Sequence, residues 1–242
     1  VIVDLTEIWA GIVSRLTPLP DGFEPGRWVL LALLAAGLAV VVPIIWRYAR
    51  IAVTIVHELG HAGVGMLVGR RFTGFVVSGD MSGQAVTVGP TRGFGRVVSA
   101  WAGYPMPALI GALLVLLALS PWPRTALGVA CAVLVVCLVF ARSVHTVAAL
   151  LVTATVCGGV FWLGPPSVCA ALTLGAGVFL LLGAWRHLGA VMRSGRRQDD
   201  PQQLAQLTGV PAALWNLSYV IVLAGCTYGA GWVLAPLVLP GT

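Results

Sequence analysis

The chain has 242 residues, 59% hydrophobic and 9% charged, with a mean hydropathy of +0.97. Soluble domains carry about 25% charged residues, so composition excludes an ordinary soluble protein and points to a polytopic membrane protein. The net charge of +6 arises from fourteen arginines and no lysine against eight acids. These arginines lie in short segments between apolar runs, as membrane topology requires, and form no basic, aromatic-rich face for nucleic acid.

Near the N-terminus, Ile2, Leu5, Ile8, Trp9, Ile12, Val13 and Leu16 recur at helical spacing, with Asp4, Glu7 and Arg15 off the stripe. That pattern predicts an interfacial amphipathic helix, ended by PLPDGFEPG. No signal peptide is expected, because VIVDLTEIW lacks a basic region and a cleavable apolar segment. Apolar runs follow at about 28–46, 51–69, 97–119, 125–141, 144–163, 167–185 and 212–236. A bilayer core of about 30 Å takes roughly 20 residues per helix. The fourth and fifth runs are separated only by ARSVH, so the expected fold is an all-α polytopic membrane protein with six or seven transmembrane helices. Residues 1–26 form the interfacial segment and 27–242 a single transmembrane domain.

With seven spans, Arg70, Arg71, Arg92, Arg96, Arg142, Arg186, Arg193, Arg196 and Arg197 fall on one side with Arg15 and Arg27. Arg47, Arg50 and Arg124 fall on the other. The positive-inside rule makes the first side cytoplasmic and the C-terminal tail external.

Two connections are long. Residues 70–96 contain FTGFVVSGDMSGQAVTVG, with β-branched residues around turn signals. A short membrane-associated β-hairpin is expected there. Its edge is either a plain surface or a place where an extended peptide adds as a strand. Residues 186–211, expected as a cytoplasmic loop, end in a short helix from Asp-Pro to Thr208-Gly209. Cys131, Cys137, Cys157, Cys169 and Cys226 all lie in apolar runs without metal or disulfide spacing, and read as small core residues.

The chemistry concentrates in TIVHELGHAGVGM, residues 54–66. On a helix, His57 and His61 at i and i+4 share a face and can hold one Zn²⁺, while Glu58 stands beside the remaining coordination position as a general base. Glu58 is the only one of eight acids inside an apolar run. Ionisable groups at membrane depth cost ~2.5–3.5 kcal/mol on insertion scales and mark functional sites. The plainer alternative is a polar cluster packed between helices. Gly60, Gly63, Gly65 and Gly69 suit close helix approach, with Gly65-x-x-x-Gly69 as the approach pattern, and Pro105 and Pro107 are expected to kink or unwind the third run.

VHELGHAGVGML resembles the site-2 protease family of intramembrane zinc metalloproteases. GRRFTGFVVSGDMSG, WAGYPMPALIG and DDPQQLAQLTGVPAALW are similar to segments of its compact bacterial branch, together covering most of residues 45–215. The resemblance implies zinc held below the membrane surface by two histidines and a distant carboxylate. It also implies cleavage, within the bilayer, of transmembrane helices of membrane-anchored substrates, in regulated proteolysis or remnant clearance. A bacterial plasma-membrane location follows; a gating partner is left open. Better-known relatives take the third ligand from an Asp-Gly motif on a later span, which this chain lacks. The compact branch's pattern, four residues before Leu204-Ala205, gives Asp200. Asp199, Asp80, His145 and a water stay as alternatives, and Asp200 before Pro201 also suits helix capping. Where the family pattern has Asn after the arginine of ARSVH, this chain has Ser143. A second functional reading is a non-proteolytic membrane scaffold or transporter-like protein retaining the metal or polar site. Glu58 argues against it, since a purely structural zinc site needs no extra carboxylate on the water side.

Overall fold

The structure is a computed structural model that describes residues 5–19, 27–79, 82–194 and 199–238. It is mostly helical. Helix α1 (Leu5–Arg15) is followed by α2 (Arg27–Val41) and α3 (Pro43–Leu67), then a hairpin of β1 (Arg71–Val77) and β2 (Gly83–Val88). The remainder is α4 (Phe94–Trp101), α5 (Pro105–Ala118), α6 (Pro123–Leu138), α7 (Val144–Leu163), α8 (Pro166–Ser194), α9 (Asp200–Thr208) and α10 (Ala212–Val238). Four of these helices begin on proline, which has no N–H to leave unsatisfied in a first turn and carries a helical φ already.

The first two apolar runs divide elsewhere than expected. Arg47 and Arg50 suggested a loop between residues 46 and 51, but both lie inside α3. The break is at Val42, extended at φ −74° and ψ 116°, the conformation a following proline imposes. There α2 and α3 meet at 101°. A second bend, of 58°, separates α4 from α5 just before Pro105, as the prolines of the third run predicted. The runs around ARSVH are two helices, and the sixth run extends to Ser194.

Three helices, α7, α8 and α10, are long and apolar enough to cross a membrane, or up to five crossings if each bent pair counts as one. The shorter α6 is also apolar. The six or seven runs divide differently here: the first two form one bent pair, the third is bent near its start, and α6 is shorter than the long helices.

Helix α8 is the axis: 56% of its most apolar window is buried, against 11% for α10. Against it α5 runs antiparallel, with Gly111 and Gly177 facing each other so closely that a Cβ on either would lie 2.7 Å from the other's carbonyl oxygen. Helix α2 runs parallel to α8, with Ala32 beside Gly175 and the Val40 carbonyl accepting from the Arg186 guanidinium. The main core gathers Val29, Ala108, Val115, Leu174, Leu181, Leu188, Leu204, Tyr219 and Leu223. A second core, Ile55, Phe75, Val77, Cys137 and Leu150, seats the hairpin on α3, α6 and α7. Leu31, Leu34, Val152, Val156, Leu217 and Ile221 point outward and are exposed.

The sidedness of the arginines needs correction. Arg50 of α3 lines one cavity together with Arg186 and Arg193 of α8. A topology placing Arg50 opposite Arg186 and Arg193 therefore does not hold; the bend at Val42 turns α3 back across the end of the bundle where α8 finishes.

Candidate metal centre

Helix α3 carries the centre because its neighbours come unusually close. A Cβ at Gly60 would lie 2.7 Å from the Ala102 carbonyl oxygen and from Met106 Cβ, and one at Gly65 would sit 3.0 Å from Ser99 Oγ. Gly63 has open space around it, and Gly69 lies beyond the helix end at φ 81°. The Gly65/Gly69 pair is thus one approach point and one helix stop, not a two-point contact face.

His57 and His61 project from one face of α3, as their spacing requires, and Asp200 reaches them from the first residue of α9. The Asp200 Oδ2 atom is 3.2 Å from His57 Nε2 and 3.1 Å from His61 Nε2, and the two Nε2 atoms are 3.1 Å apart. These three atoms form a nearly equilateral triangle. Ligands at about 2.0–2.1 Å from a tetrahedral zinc stand ~3.3 Å from one another, so the triangle closely matches one face of such a tetrahedron. Asp200 Oδ2 is buried without a hydrogen-bond partner, which is costly unless a cation neutralises it. Gly103 completes the cradle: a Cβ there would lie against His61 Nε2 and 2.7 Å from His57 Cε1. The residues present fit a divalent ion.

Their orientation is fixed from outside. His61 Nδ1 is 2.8 Å from the Ser99 carbonyl, to which it donates, leaving Nε2 as the acceptor toward the triangle. Such an outer hydrogen bond sets the tautomer of a ligating imidazole. Ser99 Oγ donates back to the His61 carbonyl at 2.9 Å, tying α4 to α3. His57 is held by packing, edge-on to Tyr104 at 4.6 Å and against His187 at 5.5 Å between ring centres.

Glu58 is 5% exposed and turned toward the hairpin. Its Oε2 accepts from the Ala85 N–H of β2 at 2.5 Å. Gly83 packs directly over it; a Cβ there would lie 2.5 Å from Glu58 Oε1.

Two of the alternatives for the third position, Asp199 and His145, can be placed. Asp199, not Asp200, is the N-cap residue of α9, and its Oδ2 accepts from Ser194 Oγ at 2.5 Å. Capping therefore does not account for Asp200. His145 is exposed on α7 and outside the group. Asp80 lies outside the described residues, as do Arg196 and Arg197. Sequence reasoning missed His187, although an ionisable group near the end of an apolar run was signal enough. It also missed Gly103, which stands in WAGYP beside the prolines.

Residues 30–230 match the Peptidase M50B-like family. The chain belongs to that family, the site-2 proteases. No curated protein and no solved structure matches it. For a Peptidase M50B-like chain, the His57, His61 and Asp200 triangle is the only group of its kind among the described residues.

Proposed function

We propose that this chain is an intramembrane zinc metalloendopeptidase, acting on transmembrane helices of membrane-anchored proteins. The observation that carries the reading is the partly buried triangle of His57, His61 and Asp200 with Glu58 adjoining in the same helix turn. His57, His61 and Asp200 would hold Zn²⁺, which when bound supplies Lewis acidity toward water and a peptide carbonyl. Glu58 takes a proton from the attacking water and returns it to the leaving amine. His61 stays in one tautomer through Ser99, and Tyr104 and His187 keep the His57 ring from turning.

A helical peptide hides its carbonyls, so the substrate must unwind locally. The outer edge of β1 is already occupied: Phe75 pairs with Phe140 and Arg142, and Val77 bonds Ser143 and Thr146. The outer edge of β2 lies against the centre; its Ala85 N–H is bonded to Glu58 and its Thr87 carbonyl accepts from Arg70, so a substrate strand received there would displace those bonds.

In this reading residues 27–242 are one transmembrane domain, with 1–26 at the interface. α2, α5, α6, α7, α8 and α10 cross the bilayer, and α3 lies across the arginine-rich end. That end faces the cytoplasm by the positive-inside rule.

The test is metal content and cleavage of the detergent-purified chain. Wild type should carry one zinc, His57→Ala and Asp200→Ala none, and Glu58→Gln should keep its zinc but lose cleavage of a transmembrane reporter by at least a thousandfold. Zinc indifferent to His57 would sink the proposal in favour of a scaffold.

A further inference from the structure

Behind the metal centre, between α3 and α8, lies a cavity of about 240 Å³. Trp46, Arg50 and Thr54 line it from α3, and Arg186, His187 and Arg193 from α8. Arg50, Arg186 and Arg193 bring three cationic side chains to this lining. An anion among cationic side chains is stabilised, more strongly where water is partly excluded. Arg186 is held in place, stacked on the Trp46 ring at 4.7 Å and donating to the Val40 carbonyl. A planar guanidinium presents paired N–H groups that match phosphate oxygens. The surroundings suit an amphiphile: Val41, Ile44 and Ile45, just before Trp46, are 73%, 61% and 44% exposed. Basic pockets between membrane helices on the cytoplasmic side are where anionic headgroups settle.

We infer that this cavity is a phosphate-anion site, formed to receive the headgroup phosphate of an anionic lipid. His187 lines this cavity and also packs against His57, so the occupant would adjoin the metal centre through that ring. The inference is independent of the protease reading, because it concerns binding alone.

The experiment is a calorimetric titration of the delipidated full chain in neutral detergent at fixed ionic strength. Three probes are used: short-chain phosphatidylglycerol, inorganic phosphate, and short-chain phosphatidylcholine as control. One saturable site for phosphatidylglycerol, absent for phosphatidylcholine, is expected. Arg193→Gln and Arg50→Gln should each weaken it about tenfold, and Arg92→Gln, on an exposed loop, should not. Equal saturation by inorganic phosphate would support the site with a free anion as occupant; saturation by phosphatidylglycerol alone supports the lipid. Absence of saturable binding by either phosphate probe in the wild type overturns the inference, whatever the variants do. So does binding that both arginine variants leave unchanged.

Discussion

Gly103 stands where any side chain would intrude on the triangle of His57, His61 and Asp200. Gly103→Ala is expected to weaken zinc binding at least tenfold, measured by chelator competition, while leaving helix content by circular dichroism unchanged. Ser143 has a different task from the asparagine of the family pattern. It caps α7, accepting from the Thr146 N–H at 3.1 Å, and donates to the Val77 carbonyl at 2.8 Å. Ser143→Ala should cost about 1–2 kcal/mol, the usual worth of a cap, seen as a lowered unfolding midpoint with zinc retained. At this scale much was legible. The spacing of His57, Glu58 and His61 dictated their relative directions, since i and i+4 must align on a helix. Asp200 was reachable only through family pattern, because nothing local tells a carboxylate after a loop which distant helix it will face. Ala85 was illegible for the same reason, its role coming from strand placement, whereas His187 carried a signal that was passed over.

Among the elements, the hairpin shows what local chemistry can and cannot specify. Turn residues and β-branched runs announced two strands, and Gly209 in the left-handed region ends α9 where Thr208-Gly209 suggested. Which strand edge is free depends on what packs alongside, and the segment 140–146 closes β1 while β2 faces Glu58. Phe75, across the ladder from Ala85, sends its own N–H and carbonyl to 140–142. Ala85→Pro therefore removes the donor to Glu58 without removing a β1–β2 hydrogen bond, a placement proline tolerates. Cleavage of a transmembrane reporter should fall at least tenfold with zinc content unchanged; undiminished cleavage would count against β2 as the receiving strand. The boundary misread at residues 46–51 has an equally physical cause. Paired arginines look like a loop, whereas the real break needs only Pro43 and the extended Val42 before it.

The whole molecule rests on α8 with α5 pressed against it. Gly177→Val would force a side chain into the Gly111 backbone, an overpacking that costs about 1–3 kcal/mol; the expected readout is a lower unfolding midpoint in detergent. Topology has its own check. Reporter fusions should place Thr91, between β2 and α4, on the cytoplasmic side and Gly164, between α7 and α8, on the opposite side.

The 101° turn at Val42 also sets a depth. Helix α2 has 15 residues, or about 22 Å at 1.5 Å per residue, against a hydrocarbon core of about 30 Å. If α2 starts at the far boundary, α3 lies roughly 8 Å inside the near one, a distance of about five residues along a substrate helix. The scissile bond is then measured off by a fixed ruler of protein. Two substrates unrelated in sequence should be cut at the same distance from the cytoplasmic boundary.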